Sequence, residues 1–325
     1  MKSVFSAIRA PRLIPATRVI RPAIFTRPFT MDQTLQCPPF TQKVVQAMRT
    51  LYPEELADRA WDNVGLLQEN IQSASGASSI VLLTNDLTIR VAEEAIAKRA
   101  SVIVSYHPFI FRGLKSINLN DPHQRIVLQL AQHNIAVYSP HTAVDAAPGG
   151  LNDWLAGMLD DVTNVSAVKP IAGFTPEGFE GAGYGRLVKL ARPYSVGWIA
   201  KRYADRLGSL RHVMVARPFK GVNKSNEIRT VAVCAGSGYD VLKDTAADLI
   251  VTGEMSHHNA LRLTMVGKWV LTVFHSNSER QFLAEVLQPR LQRLLRETEQ
   301  DAEVLVSRED TDPFVIWDVK DLPDL

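Results

Sequence analysis

Short runs of apolar, largely β-branched residues recur along the chain at 80–83, 102–104, 135–138, 230–233, 249–251 and 269–274, without the polar alternation of a sheet wetted on one face. Such runs predict strands buried on both sides. Between the first three lie amphipathic stretches, 88–100 with Val91, Ala95 and Ile96 inward and 123–134 with Ile126, Val127 and Leu130 inward. Strand, helix, strand alternation implies right-handed crossovers and a mostly parallel sheet flanked by helices, so the expected class is α/β. Further helices are expected over 41–51 and about 196–207, and a long one over 276–296 that Pro289 should kink. A Gly-rich passage, 173–185, separates two halves of the strand series and suggests a first lobe at 32–165 and a second at 166–325, the latter ending in a helix and a strand.

In open α/β sheets ligands bind at the carboxyl ends of the strands, and the residues just past these runs are unusually polar. They include Tyr106 and His107; His141, Thr142 and Asp145; Glu254, His257 and His258; and His275 through Glu279. Five of the eight histidines (107, 141, 257, 258 and 275) fall in these segments, which calls for a chemical reason. Imidazole combined with carboxylate suits a transition metal such as zinc, iron, manganese or cobalt.

His107, Asp145 and the His275–Glu279 pair, itself four residues apart, are distant from one another in sequence, so only folding can assemble them; no H-E-x-x-H motif is present. Each also has a structural reading. Ser276 and Glu279 have the spacing of a helix capping box, Asp145 could favour a helix start, and the two histidines could be hydrogen-bonded interior residues. Glu254 could be a base, a ligand or a helix-start carboxylate. His257 and His258 would point about 100° apart on a helix, so at most one is a direct ligand. Glu254 and His258 are the candidates for a proton shuttle. Past the His107 strand, Arg112 and Lys115 could hold phosphates or be surface cations. Residues 231–238 form a strand running into a small-residue turn that lacks the Lys of a P-loop.

Composition narrows the class. The 325 residues are 46% hydrophobic and 22% charged with 2 Cys, which excludes disordered, collagen-like and disulfide-stapled proteins. No apolar run approaches the roughly 18 residues of a membrane span. Cys37 and Cys234 match neither a CxxC motif nor a zinc knuckle, and a reducing compartment fits them best. Residues 1–31 hold six basic residues and no Asp or Glu, the character of a mitochondrial transit peptide; Met31 offers a second start and hence a cytoplasmic or nuclear form. Residues 32–325 carry 30 Lys and Arg against 34 Asp and Glu, so the body is mildly acidic and nucleic acid is not an expected partner.

Five blocks together resemble the NIF-three-like family, whose members are often called GTP cyclohydrolase 1 type 2 homologues. They are Trp61-Asp62-Asn63-Val64-Gly65-Leu66; Ser105-Tyr106-His107-Pro108 with Phe111-Arg112 and Leu114-Lys115; Ser139-Pro140-His141-Thr142 through Asp145 to Trp154; Thr252-Gly253-Glu254-Met255-Ser256-His257-His258; and His275-Ser276-Asn277-Ser278-Glu279-Arg280. The resemblance implies two similar α/β lobes, a two-metal site in the cleft between them held by His107, Asp145, His275 and Glu279, and a ring-shaped homo-hexamer. It implies a metal-dependent hydrolase of a nucleotide-like small molecule or, alternatively, a non-catalytic metal-binding adaptor or transcription-related interacting protein. Tyr106 stands where many bacterial relatives carry a second His, which implies a second ion that is weaker, absent, or completed by water or by His258.

Overall fold

Buried β-branched runs become the central strands of two sheets in the computed structural model, which describes residues 37–71, 78–159, 165–172, 178–220 and 226–322. The basic leader lies outside the described residues. The first sheet contains β1 (Gly65–Gln68), β2 (Ile80–Thr84), β3 (Val102–Ser105), β4 (Ala136–Ser139) and the last strand of the chain, β11 (Glu303–Val306), in the order β1-β4-β3-β2-β11. Only β1 runs antiparallel to its neighbour. The second contains β5 (Val165–Ala172), β6 (Tyr184–Ser195), β7 (Met214–Ala216), β8 (Glu227–Cys234), β9 (Leu249–Thr252) and β10 (Trp269–Thr272), in the order β5-β6-β8-β9-β10-β7. Its centre, β8-β9-β10, is parallel and its flanks are antiparallel.

The expected crossovers are present. Helices Ile89–Ala97 and Pro122–Gln132 press Val91, Ala92, Ala95, Ile126 and Leu130 onto Leu82, Ile103 and Val137. Both helices start where a side chain caps the first turn: Thr88 accepts from the Val91 amide at 3.3 Å and Asp121 from Gln124 at 3.0 Å. In the second core Leu242 and Leu263 pack on Ala232, Ile250 and Val270. The α/β class therefore holds, with two sheets flanked by helices. The C-terminal strand, grouped by sequence with the second lobe, instead pairs in parallel register with β2 of the first sheet. Gln36 to Leu325 form one compact unit.

The long helix expected over 276–296 is broken. A 3₁₀ turn, Ser276–Ser278, leads to a short helical turn, Arg280–Phe282, then to a π turn, Leu283–Leu287, and only then to the helix Gln288–Arg296. Pro289 sits in the first turn of that last helix, where its missing N–H costs nothing, and the wider turn before it absorbs the lost bond. The first break serves the site, because it frees the Glu279 carboxylate from capping duty.

Candidate metal centre

The carboxyl ends of β3 and β4 and those of β8 and β10 open onto one pocket of about 580 Å³. His107 stands just past β3, and His275 and Glu279 come after β10. Their ligand atoms all lie within 4.8 Å of one another. His275 Nε2 is 3.4 Å from His107 Nε2 and 3.2 Å from Glu279 Oε1, and His107 Nε2 is 3.6 Å from Glu279 Oε2. Of the sequence's alternatives for Glu279, the capping box is not formed. Its buried carboxylate turns toward the two imidazoles and accepts from Asn85 Nδ2 at 3.1 Å.

Each ring is aimed from behind. His107 Nδ1 meets Asp86 Oδ1 at 2.9 Å and His275 Nδ1 meets Glu254 Oε1 at 3.2 Å, leaving both Nε2 atoms facing Glu279. Carboxylates behind the rings fix tautomer and orientation and raise basicity, as they do for metal-bound histidines. Burial works against charging His107, but the Asp86 hydrogen bond and the Glu279 charge outweigh it, and its pKa is raised. Burial opposes His275 as well, yet Glu279 and Glu254 push it up to about 9. The Ser237 hydroxyl, donating at 2.7 Å, lowers the pKa of Glu254.

Two protonated Nε2 atoms 3.4 Å apart would set donor against donor. One divalent cation replaces both protons, satisfies both rings and neutralises the buried carboxylate, so the donor set fits a transition metal. Gly236, opposite, adopts φ +57°, and a Cβ there would come within 2.8 Å of Glu279 Oε1 and 3.2 Å of His275 Nε2. Only glycine lets that turn close over Glu279 Oε1 and His275 Nε2 without displacing them.

Asp145 lines the same pocket but stands outside this trio, accepting instead from the Tyr106 hydroxyl at 2.7 Å. Burial pushes the Asp145 pKa up to about 6. The Tyr106 phenol is raised well above its ordinary value, first by burial and then by the Asp145 charge, and its hydroxyl is turned to Asp145. Glu254 reaches the site only through His275. His258 does not reach the pocket: it is exposed on the helix His257–Met265, which Ser256 caps, with its ring 5.3 Å from that of His257. Neither a ligand nor a shuttle role suits that position. Arg112 and Lys115 are exposed and line no part of the pocket.

Sequence reasoning named His141 and Trp61 but gave neither a role. His141, at φ +27°, hydrogen-bonds through Nδ1 to Asp62 Oδ1 at 2.7 Å, and its ring packs edge-on against Trp61 and Tyr106. Burial tends to raise the Asp62 pKa, but His141 and Thr142 together lower it. The adjacency of Trp61 and Asp62 was a signal for this wall that no local spacing made explicit.

A family model described as Duf34/NIF3 (NGG1p interacting factor 3) matches residues 40–313. The chain belongs to this family. It is 45% identical over 276 residues to the protein NIF3 homolog of Schizosaccharomyces pombe, covering 84% of this chain and 97% of that one. It is 39% identical over 283 residues to the NGG1-interacting factor 3 of Saccharomyces cerevisiae, covering 84% and 96%. Among solved structures, a Bacillus cereus protein related to NIF3 superposes with a TM-score of 0.65 at 21% identity, covering 85% of this chain and 98% of that one, a likeness of fold. The sequence resemblance to the family and the α/β expectation are thus both met. Among the described residues, no helix is long and apolar enough to cross a membrane.

Proposed function

We propose that this NIF3-family protein is a metal-dependent hydrolase of a small nucleotide-like molecule. The observation that carries this reading is the convergence of His107, His275 and Glu279 at the floor of an open pocket large enough for a substrate. A divalent zinc, iron or manganese ion bound there supplies a Lewis acid that brings the pKa of water toward neutrality. The chain's own residues do the rest. Asp86 and Glu254 hold the two imidazoles in register, Asn85 fixes the Glu279 carboxylate, and Gly236 leaves space above them. Asp145, sharing a hydrogen with Tyr106 at the pocket wall, is placed to take or return a proton. Asp145 Oδ2, which the Tyr106 hydrogen bond leaves unengaged, is the atom through which a second ion would be held beside the trio.

Metal content per chain, measured by mass spectrometry on chelator-free protein beside His275→Ala, tests the site. The expected result is bound metal that the variant loses while keeping its circular dichroism spectrum. A metal-dependent release of product from a nucleoside and nucleotide panel then tests the hydrolase; metal bound without turnover of any member overturns it.

A second reading, a protein-binding role, is supported by the name of the Saccharomyces cerevisiae relative, an interacting factor. The exposed apolar run Phe314, Val315, Ile316 and Trp317 is a surface of the kind a partner or another copy covers. The homo-hexamer is carried as part of the proposal, with light scattering as its check. So is mitochondrial import through residues 1–31, which a leader-deleted form tests by its distribution.

A further inference from the structure

Above the proposed metal ligands, the pocket carries an unbroken run of rings. Phe111 lies 6.0 Å from Trp61, Trp61 lies 5.8 Å from His141, His141 lies 5.4 Å from His107, and His107 lies 5.3 Å from His275, all between ring centroids. The outer end of this run is in water: Trp61 is 53% exposed and Phe111 45%. Large aromatic faces left exposed at a pocket mouth mark a surface that a ligand covers.

Trp61 is exposed but not loose. Its indole N–H donates to Asp58 Oδ2 at 2.9 Å, the Ala60 amide holds Asp58 Oδ1 at 3.1 Å, and the Asp58 amide donates to Thr142 Oγ1 at 3.0 Å. The ring is therefore oriented before anything binds, so little freedom remains to be lost on association. A planar ring stacked on the Trp61 face, with Phe111 inclined at 55° beside it, directs the rest of the molecule inward along His141 to the His107, His275 and Glu279 trio.

Charge narrows the ligand further. Among the described residues, the lining contains four carboxylates, Asp58, Asp145, Asp240 and Glu279, and no Lys or Arg. Asp240 pairs with Lys243 at 2.8 Å, but that cation lies outside the lining. Asp58, beside the ring platform, receives only neutral N–H donors from Trp61 and Ala60. One divalent ion at the trio leaves this rim negative, which repels a polyphosphate chain while tolerating a neutral or cationic group.

Building on the hydrolase reading above, we infer that the pocket takes an uncharged planar heteroaromatic compound of purine-nucleoside size, held on Trp61 and Phe111, rather than a nucleoside polyphosphate. The test is calorimetric titration of the metal-loaded full-length protein with guanosine, adenosine and inosine, and with GTP. At least one nucleoside should bind, with GTP at least about tenfold weaker than guanosine. Trp61→Ala should weaken the nucleoside about tenfold or more, while Trp61→Phe retains most of the affinity because it keeps a stacking face. Phe111→Ala supplies a second, independent loss, and unchanged metal content in each variant separates platform from metal site. GTP binding as tightly as guanosine, no binding of any of the three nucleosides, or an unaffected Trp61→Ala each overturns the inference. Nucleoside binding without hydrolysis ends the hydrolase reading and leaves the platform standing; hydrolysis indifferent to Trp61→Ala does the reverse.

Discussion

Asn85 Nδ2 and Glu279 Oε2, 194 residues apart in sequence, are joined by a buried 3.1 Å hydrogen bond that links the end of β2 to the turn after β10. Asn85 is also restrained by the C-terminal segment, donating its backbone N–H to Asp310 Oδ2 at 2.7 Å. Asn85→Leu removes the side-chain donor and leaves one carboxylate oxygen of Glu279 without its partner. The expected result is metal affinity about 10- to 100-fold lower, read by competition with a chromophoric chelator. An unchanged constant would show that Glu279 does not depend on this bond.

Metal binding should depend on pH in a definite direction. In the metal-free protein the His275 pKa is raised to about 9, so the imidazole is charged at neutrality and must shed its proton when metal binds. Apparent affinity should therefore rise with pH up to about 9 and fall below it, by up to roughly tenfold per unit for each proton displaced. Proton release into weakly buffered indicator dye near neutral pH is the direct measurement; loading that releases none contradicts a ligand role for His275.

Gly236→Ala should damage the centre more than the fold. The residue stands at φ +57°, where an added Cβ costs about 1–2 kcal/mol, and that Cβ would come within 2.8 Å of Glu279 Oε1. A modest drop in Tm with metal content reduced at least about tenfold is expected. A Tm drop with full metal occupancy would mean that the carboxylate moves aside without consequence.

Tyr106→His tests what holds Asp145. The phenol donates to Asp145 at 2.7 Å, and burial raises its pKa. An imidazole in its place offers a ligand atom beside a carboxylate released from that bond. Metal per chain should rise by about one ion over the parent protein; an equal count would show that the wall cannot build a second site.

Much of this was legible because buried parallel strands advertise themselves as unbroken apolar runs, and the residues past their carboxyl ends are polar for a reason. That logic brought His107, His275 and Glu279 to notice, and the structure brings them together. What it left open is orientation rather than position. His258 shares a segment with Glu254, but Ser256 caps the next helix and the ring faces solvent. Asp145 has the right address and a competing partner in Tyr106. The breaks after Ser276 were hidden because 282, 286, 287, 291, 294 and 295 keep helical spacing across a π turn. Trp61 and Phe111 stood out only as parts of the family blocks; their exposure at a pocket mouth is what the structure adds.

The pairing of β11 with β2 also governs when the protein becomes functional. Residues 303–306 supply the last strand of a sheet whose other members are made within the first 139, and Asp310 beyond them braces Asn85. During synthesis the first half must wait, with the flank of β2 unprotected, until nearly the whole chain has emerged. Completion of the proposed metal centre is then a late event, and a nascent or truncated product ending before β11 is open to aggregation through that edge.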